Sequence, residues 1–159
     1  MPADEIRIRP LERADADGCL KVIASLPYFF GDPSGVAECA TALQTQSGYV
    51  AERHDEILGF VALTTRFGAT TELTWMAVHA GWRRRGIGRR LMRAVVAGEA
   101  SRPVSFLAVL TLSPSCLEPG VVDGYKGTRR FYRREGFLPV MEYVPAGWSS
   151  PAVLLIAAL

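Results

Sequence analysis

The sequence has few cysteines, little net charge and no long hydrophobic run. The three cysteines, Cys19, Cys39 and Cys116, stand far apart, so they indicate neither a disulfide framework nor a zinc site, and they suit a reducing cytoplasm. A net charge of +2 argues against a surface built wholly for nucleic acid or anionic membrane. The longest apolar run, 152–159, is far below the ~20 residues of a membrane span, and no signal peptide is evident. We expect a soluble, cytoplasmic protein that needs no metal.

The remaining composition is that of an ordinary globular protein. Hydrophobic residues make up 49% and charged residues 21% of the 159 residues, which excludes long disorder and a coiled coil. The sequence contains no internal repeat, low-complexity tract or linker. We predict a single domain over residues 1–159 with one core.

The first half of the sequence predicts a strand, two helices and three strands. IRIRP alternates like a half-buried strand, and Asp15 and Asp17 are candidate caps of the helix that follows. After a loop at residues 26–31, Asp32 and Pro33 are expected to start a second helix, which Gly48 ends. The runs YVAERH, ILGFVALTTRF and ELTWMAVH then predict an antiparallel meander.

The second half predicts a helix, a strand, a helix and two strands. The helix after His79 leads into VSFLAVLTL, and such a crossover normally gives a parallel neighbouring strand. A short helix, TRRFYRRE, ends at Gly136 and precedes two final strands. The predicted fold class is α/β, with a mixed, mainly antiparallel sheet of about seven strands and about four helices.

The most informative segment is residues 83–90, RRRGIGRR, which we call the arginine loop. It lies between a predicted strand and the start of a helix, where unpaired N–H groups and the helix dipole attract anions. Gly86 and Gly88 lack a Cβ, so backbone amides can turn inward and a diphosphate can approach the chain. Arg84, Arg85 and the pair 89–90 would add attraction for outer phosphate oxygens.

Other interpretations of this segment remain open. The P-loop pattern GxxxxGK[ST] is missing, and the dinucleotide fingerprint lacks its third glycine because Leu91 stands at that position. The segment could also be a glycine-softened helix start with a solvated arginine face. Nucleic-acid binding is a further alternative, for which the rest of the chain offers little basic reinforcement; it predicts a steep salt dependence.

Two segments in register resemble the GNAT superfamily of N-acetyltransferases. Residues 78–91 resemble its acetyl-CoA signature, R/Q-x-x-G-x-G/A, and RFYRREGF at 130–137 is similar to its FY-x-x-x-GF segment. The order of elements matches along essentially the whole chain, and 111–115, 128–137 and Trp148 resemble a bacterial subgroup of the family.

The resemblance implies a GNAT fold whose sheet is splayed between the fourth and fifth strands, where acetyl-CoA binds. Backbone groups of the strand end would contact the pantetheine and the thioester oxygen. The arginine loop would supply amides to the pyrophosphate, and two residues of the last helix would line the pantetheine. The implied cofactor-binding residues are Met76, Ala77, Val78, Arg83, Arg84, Arg85, Gly86, Ile87, Gly88, Arg89, Thr128 and Phe131.

Acetyl transfer to an amine requires two proton movements, for which the sequence offers one acid and one base. Tyr132 matches the position of the family's usual general acid, although it could instead be a core tyrosine. Glu72 is the base candidate, although it could be an ordinary exposed charge at a turn. His54 and His79 are set aside as solvated, and Cys116 lacks a local histidine that would make it a nucleophile.

The chain departs from the family after the fifth strand, and its acceptor is not specified. Many members carry an asparagine there, where this chain has LSPS at 112–115; Ser113 or Ser115 could replace its hydrogen bond. Residues 26–35 and 113–127 are expected to select the acceptor, through the aromatics at 28–30 or through acids. Those aromatics could equally close the core, and the candidate acids are Asp32, Glu118 and Asp123.

We expect an acetyl-CoA-dependent N-acetyltransferase that acts on a small amine in a ternary complex, without nucleic-acid or membrane partners. The alternatives are a non-catalytic acyl-CoA sensor and an acetyltransferase of a protein amine. The chain could form a homodimer, and its last strand could be placed in a neighbouring subunit.

Overall fold

A computed structural model describes residues 5–159, except for the side chain of Cys116. Residues 5–159 form seven strands in the sheet order β1-β2-β3-β4-β5-β7-β6, mostly antiparallel, and five helices. The strands are β1 Arg7–Pro10, β2 Ser47–Arg53, β3 Glu56–Arg66, β4 Thr70–Val78, β5 Phe106–Leu112, β6 Leu138–Tyr143 and β7 Ala152–Ala158. The helices are α1 Ala16–Ala24, α2 Pro27–Phe30, α3 Pro33–Thr45, α4 Ile87–Glu99 and α5 Lys126–Arg134.

The predicted fold class and element order are confirmed, with one helix more than expected. The additional helix is the single turn α2, which lies in the segment predicted as a loop. Pro27 stands at its first position, where a missing N–H costs nothing, and the N–H groups of Phe29 and Phe30 bond to the Leu26 carbonyl. The splay of the sheet stays a prediction.

The chain consists of two compact units, of which the first contains residues up to Thr64 together with Leu73–Arg102. Its strands form the expected meander, with Gly48 of β2 opposite Ala62 of β3. His54 and Asp55 close the β2–β3 hairpin with φ of 50° and 62°, as a tight hairpin turn requires. The main core cluster combines α1, α3 and the sheet; its buried members are Cys19, Val22, Ile23, Leu26, Cys39, Leu43, Val50, Ile57, Phe60 and Ala77.

Two helix-end predictions in this unit are wrong. Gly48 does not stop α3, which ends at Thr45; Gly48 lies within β2, where a Cβ would come within 1.9 Å of the Val61 carbonyl oxygen. Asp15 does not cap α1 through its side chain. Its carboxylate instead accepts bonds from the Glu12 N–H and from the guanidinium of Arg9, each at 2.8 Å.

Arg9 joins two buried carboxylates into an ion-pair network at β1. Its guanidinium lies 2.8 Å from Asp15 and 2.8 Å from Glu52 of β2, which also pairs with Arg7 at 2.6 Å. Hydrogen bonds from Arg9 and Arg7 lower the pKa of Glu52 to about 2, and those from Arg9 lower the pKa of Asp15. Because the carboxylates are buried, loss of Arg9 would leave Asp15 without its ion-pair partner and Glu52 with Arg7 alone.

Helix α4 packs closely on β2 because one of its residues is glycine. Ile87, Leu91 and Val95 are buried on one face, as their spacing predicts. On the same helix, a Cβ at Gly98 would lie 2.0 Å from the Tyr49 hydroxyl oxygen. Gly98 therefore provides the space that Tyr49 occupies.

The second unit contains Thr65–Glu72 and Pro103–Leu159. β7 pairs antiparallel with both β5 and β6 of its own chain, so its pairing needs no neighbouring subunit. Gly136, with φ 95°, ends α5 where the sequence predicts, and Phe137 next to it is fully buried. Over the described part of the chain, the helices are too short or too polar to cross a membrane.

Candidate active site

The loop that follows β4 is held in place at a short turn. Residues Ala80–Trp82 form a 3-10 turn, which His79 caps by accepting the Gly81 N–H at Nδ1 over 3.1 Å. The Ala80 N–H donates to the hydroxyl of Ser25 at 3.0 Å. Ser25 directly follows α1, so this bond ties the start of the arginine loop to a helix 55 residues earlier.

The backbone of the arginine loop is shaped for an anion. Arg84 and Gly86 have φ of 61° and 79°, on either side of Arg85, and left-handed residues let successive N–H groups form a concave nest. α4 begins at Ile87, and its N-cap Gly86 has no side chain to accept the first N–H groups. The helical ladder starts with the Arg90 N–H on the Gly86 carbonyl at 3.1 Å. The first-turn N–H groups therefore have no intrahelical acceptor and lie at the positive end of the helix dipole.

The two glycines of the loop differ in their roles. Gly86 uses the left-handed conformation, whereas Gly88 lies in the first turn of α4 with helical backbone. The second bend expected of Gly88 is made by Arg84 instead, although a side chain is disfavoured at positive φ. Close approach of a ligand to Gly88 stays a prediction.

Two loop arginines lie over aromatic rings. The Arg83 guanidinium is 5.3 Å from the ring centre of Phe29 in α2, and that of Arg85 is 4.9 Å from the ring centre of Trp82. Arg53 of β2 also lies over Trp82, at 5.2 Å. Cation–π contacts of this kind contribute about 0.5–1 kcal/mol at exposed sites. They orient the arginine side chains, which keep their positive charge.

The remaining loop arginines divide into two kinds. Arg90 donates from Nη2 to the Ile6 carbonyl at 2.5 Å, which fixes it to the segment before β1. The attraction of Arg90 for phosphate stays a prediction. Arg84 and Arg89 have exposed side chains.

Residues 76–78, the predicted backbone contacts for pantetheine, are the last residues of β4. Ala77 is buried and its two neighbours are half-buried. The His79 N–H bonds to the Leu58 carbonyl at 2.8 Å, so the pairing with β3 continues to the strand end. A Cβ at Gly59 would lie 3.0 Å from the Ala77 carbonyl oxygen, so glycine is required for this close approach.

In the second unit, α5 places Tyr132 in a buried position. Its ring lies edge-on to Phe131 and Phe137, with centres 5.3 and 5.4 Å apart. Burial raises the pKa of the Tyr132 hydroxyl well above its usual value near 10. The hydroxyl is therefore protonated at neutral pH and can donate a proton. Thr128 and Phe131 are half-buried on the same helix.

A network that the sequence analysis missed anchors α5 to the end of β5. Arg129 donates to the Leu112 carbonyl at 2.7 Å and forms an ion pair with Asp123. Asp123 also accepts the Tyr125 N–H at 3.2 Å, at the start of α5. Asp123 was expected as an acid for a cationic amine, but its carboxylate is occupied by this network. The partners lie 17 and 6 residues from Arg129, so no local pattern marks them.

Glu72, the base candidate, lies in β4 near the β3–β4 turn. Its side chain is 18% exposed and pairs with Arg66 Nε at 2.6 Å. Glu72 is therefore not the exposed turn charge that the alternative interpretation expected. An ionised carboxylate accepts protons and hydrogen bonds only, which is the capacity a base requires.

The other candidates add no metal or histidine site. Within residues 5–159, the structure contains no group of three or more His, Cys, Asp or Glu side chains that could hold a metal ion. His54 is exposed in the β2–β3 turn, and His79 caps the loop described above. The Cys116 side chain lies outside the described residues, so a nucleophilic role there stays untested.

The comparison with protein families decides the identity of the fold. A family model described as an acetyltransferase (GNAT) domain matches residues 44–139, which is more than half of the chain. The chain belongs to the GNAT acetyltransferase family. The matched segment of the GNAT domain includes every predicted site residue, from Glu72 to Tyr132. A search of curated proteins found no match.

Solved structures of low sequence identity share the fold of this GNAT domain. A GNAT-family protein from Desulfovibrio desulfuricans is 19% identical with a TM-score of 0.81, covering 97% of this chain and 99% of that one. The aminoglycoside 6'-N-acetyltransferase from Enterococcus faecium is 22% identical with a TM-score of 0.71, covering 96% of each chain. A GNAT acetyltransferase from Elizabethkingia anophelis with acetyl-CoA bound is 20% identical with a TM-score of 0.68, covering 98% and 99%.

This GNAT domain has hydroxyl groups where many members carry an asparagine. Ser113 is buried after β5; its Oγ accepts the Ser115 N–H at 3.2 Å and lies 3.1 Å from the Ser115 hydroxyl, which donates to Glu142. Thr111, two residues earlier, has a buried hydroxyl without a hydrogen-bond partner among the described residues. Thr111 therefore offers a polar group that a bound molecule could satisfy.

Proposed function

We propose that this GNAT domain is an acetyl-CoA-dependent N-acetyltransferase that acts on a primary amine of a small molecule by direct attack in a ternary complex. The observation that carries the proposal is the arginine loop, whose left-handed Arg84 and Gly86 precede an uncapped helix start. That combination suits a diphosphate group. A fold neighbour with acetyl-CoA bound supports the choice of ligand.

The residues in the first unit would hold the diphosphate and the start of the pantetheine. Backbone N–H groups of Gly86, Ile87, Gly88 and Arg89 would bind phosphate oxygens, and Arg84 would add charge. Arg83 and Arg85 are oriented by aromatic rings and would add further positive charge near the phosphate oxygens. Backbone groups at 76–78 would contact the pantetheine and the thioester oxygen. In the second unit, Thr128 and Phe131 would line the pantetheine.

Bound acetyl-CoA supplies an activated acetyl group, and the chain must supply two proton transfers. As the new N–C bond forms and the S–C bond breaks, Glu72 is proposed to accept the amine proton, directly or through water. Tyr132 is proposed to donate a proton to the leaving thiolate, because a phenol hydroxyl is protonated at neutral pH and is a hydrogen-bond donor. A bond between Thr111 and the ligand would take the place of the usual asparagine contact.

A small-molecule acceptor suits the segment before α3. Tyr28 is 66% exposed, whereas Phe29 and Phe30 pack against the core cluster and Phe30 lies 6.1 Å from Trp75. Phe29 and Phe30 thus serve the core, and the exposed Tyr28 is the aromatic residue of this segment that we propose to lie nearest the acceptor. Asp32 caps α3 by accepting the Ser34 N–H, so Glu118, which is exposed, is the remaining acid of the expected set. A neighbour named as an aminoglycoside acetyltransferase supports a small amine.

The test is thiol release from acetyl-CoA over a panel of amines, aminoglycosides, polyamines and amino acids, together with calorimetry of coenzyme A binding. We expect thiol release with at least one small amine. Binding without release for every amine would instead identify a sensor, and release only with a peptide N-terminus or lysine would identify a protein acceptor. Absence of coenzyme A binding would refute the proposal as a whole.

The catalytic assignments are tested by Tyr132→Phe and Glu72→Gln, with Tyr143→Phe, an exposed tyrosine of β6, as the control. We expect Tyr132→Phe to lower kcat by about 10²- to 10⁴-fold with little change in coenzyme A affinity. Glu72→Gln should lower kcat/KM with little change in coenzyme A affinity, because an amide cannot accept the amine proton. Full activity of Tyr132→Phe across the pH range would show that another group is the acid.

A further inference from the structure

The turn between β4 and the arginine loop is fixed through its backbone. The N–H groups of residues 79–82 are all hydrogen-bonded, and three of their acceptors belong to β3 or to His79. The fourth N–H, that of Ala80, donates to the hydroxyl of Ser25 at 3.0 Å, and Ser25 lies 55 residues earlier in the chain. This bond therefore connects the turn to a separate part of the first unit.

The Ser25 hydroxyl is oriented as an acceptor for this bond. Ser25 directly follows α1, and its Oγ donates its hydrogen to the Val22 carbonyl at 2.6 Å. A hydroxyl has one hydrogen and two acceptor lone pairs, so Oγ can only accept from the Ala80 N–H. The Ser25 N–H also bonds to carbonyls of the last turn of α1. The acceptor is thus held by a helix.

Phe29 gives the arginine loop a second fixed point from the same part of the chain. The Arg83 guanidinium lies 5.3 Å from the centre of the Phe29 ring. The Phe29 N–H bonds to the Leu26 carbonyl at 3.1 Å, and the side chain packs against the main core cluster. Stacking on an aromatic ring restricts an otherwise flexible arginine side chain. Residues 25–29 therefore contact the loop at its backbone and at its first arginine.

These contacts matter because an anion-binding loop acts through its shape. The left-handed Arg84 and Gly86 direct backbone N–H groups towards one point only if the chain enters the loop in a fixed direction. Ordering a loop during binding reduces the affinity, whereas a loop already held in its bound shape avoids that cost. Contacts at the entry of the loop can therefore raise affinity without touching the ligand.

We propose that Ser25 and Phe29 are positioning residues of the diphosphate site, which hold the arginine loop in its binding shape and do not contact the ligand. This inference rests on the proposed function, because it takes the diphosphate of coenzyme A as the anion. Both residues precede the segment 44–139 that the family model matches. The inference thus assigns a part in cofactor binding to α2 and to the end of α1.

Titration calorimetry with coenzyme A tests the role of Ser25. We expect Ser25→Ala to weaken coenzyme A binding by about 3- to 10-fold, which corresponds to one hydrogen bond, and Ser25→Thr to retain most of the affinity. Ser101→Ala is the matched control. The Ser101 hydroxyl donates to the Gly98 carbonyl at 3.1 Å just after α4, which is the same local bond without a contact to the arginine loop. Its loss should leave the affinity unchanged.

Two further measurements separate positioning from a general loss of stability. Ser25→Ala should raise the KM for acetyl-CoA and leave kcat within about twofold, because saturating ligand itself holds the loop. In the protein without ligand, the amides of residues 80–86 should exchange with solvent about threefold faster or more, while those of β2 and β3 keep their rates.

Phe29→Leu tests the second contact, because it keeps an apolar side chain and removes the ring. We expect it to weaken coenzyme A binding by about 2- to 5-fold. In an Arg83→Met background it should cause no further loss, since the contact is already absent. Phe30→Leu is the matched control; the Phe30 ring lies 6.1 Å from that of Trp75 and not over a loop arginine.

The outcomes distinguish this inference from the proposed function. If the wild-type protein does not bind coenzyme A, both fail. If the wild type binds and Ser25→Ala and Phe29→Leu bind equally tightly, only this inference is overturned. Equal losses of affinity in Ser101→Ala and Phe30→Leu would also overturn it, because the effect would then not depend on the contacts with the arginine loop.

Discussion

The arginine loop makes a quantitative prediction for its first glycine. Gly86 has φ 79°, and a Cβ there would meet no atom within 4 Å, so Gly86→Ala adds conformational strain and no clash. Left-handed backbone costs an L-residue about 1–2 kcal/mol. This strain must lower either the stability of the protein or its affinity for coenzyme A. If the loop keeps its shape, the free energy of unfolding falls by that amount; if it relaxes, coenzyme A affinity falls by about 5- to 30-fold.

Two glycines serve as matched controls for this substitution. Gly68 has φ 75° and equally open surroundings, but it lies in the β3–β4 turn. Gly68→Ala should therefore cost similar stability and leave coenzyme A affinity unchanged. Gly88 has helical backbone in α4, where alanine is favoured over glycine by up to about 1 kcal/mol. Gly88→Ala should thus keep or raise stability and weaken binding only if the ligand approaches that residue.

The assays are urea unfolding for stability and titration calorimetry with coenzyme A for affinity. The sum of the two losses in Gly86→Ala should be about 1–2 kcal/mol. If Gly86→Ala changes neither quantity, the left-handed conformation is not needed for folding or binding. If Gly68→Ala weakens coenzyme A as strongly as Gly86→Ala, the effect is not specific to the arginine loop. Either result would refute the assignment of the diphosphate site.

Two further predictions concern the first unit. The pKa of Glu52 is lowered to about 2 by Arg9 and Arg7, so its stabilisation is complete above pH 4.5 and lost as pH falls towards 2. Urea unfolding should show a loss of up to about 3 kcal/mol from this group, and Arg9→Met should reduce that pH dependence in part, since Arg7 still pairs with Glu52; an unchanged dependence would contradict it. Gly98→Ala should lower the melting temperature because its Cβ meets the Tyr49 hydroxyl, and Tyr49→Phe should recover part of the loss. If Gly98→Ala lowers the melting temperature equally with Tyr49 and with Tyr49→Phe, the contact between residue 98 and the Tyr49 hydroxyl is not the cause.

The local features of this fold could be predicted from the sequence because their causes are local. Asp32 and Pro33 start α3 as expected, since a cap and a fixed φ act within one turn. Gly136 ends α5 with the positive φ that favours glycine. The arginine loop also lies between a strand and a helix as predicted, because the patterns that mark those two elements are local.

The wrong helix-end predictions involve tertiary partners that the local pattern does not show. The sequence pattern predicts that Gly48 ends a helix. In the structure Gly48 lies in the sheet beside the Val61 carbonyl, and this close contact explains why the residue is glycine. The sequence pattern predicts that the Asp15 side chain caps a helix, but its carboxylate forms an ion pair with Arg9 of β1. A sequence pattern indicates which interactions a residue type can make. Tertiary contacts decide with which partner the residue makes them.

The same reasoning separates residues that look equivalent within the arginine loop. Five arginines in eight residues suggest one uniform basic patch. In the structure, Arg83 and Arg85 lie over rings and Arg90 binds a carbonyl, while Arg84 bends the backbone at positive φ. A nucleic-acid surface would depend on the summed charge, so each neutral substitution should weaken it similarly. A diphosphate site instead depends on backbone shape, so substitutions that change φ should outweigh those that remove an exposed charge. The unequal placement of the arginines therefore favours a small, shaped anion over a polyanion.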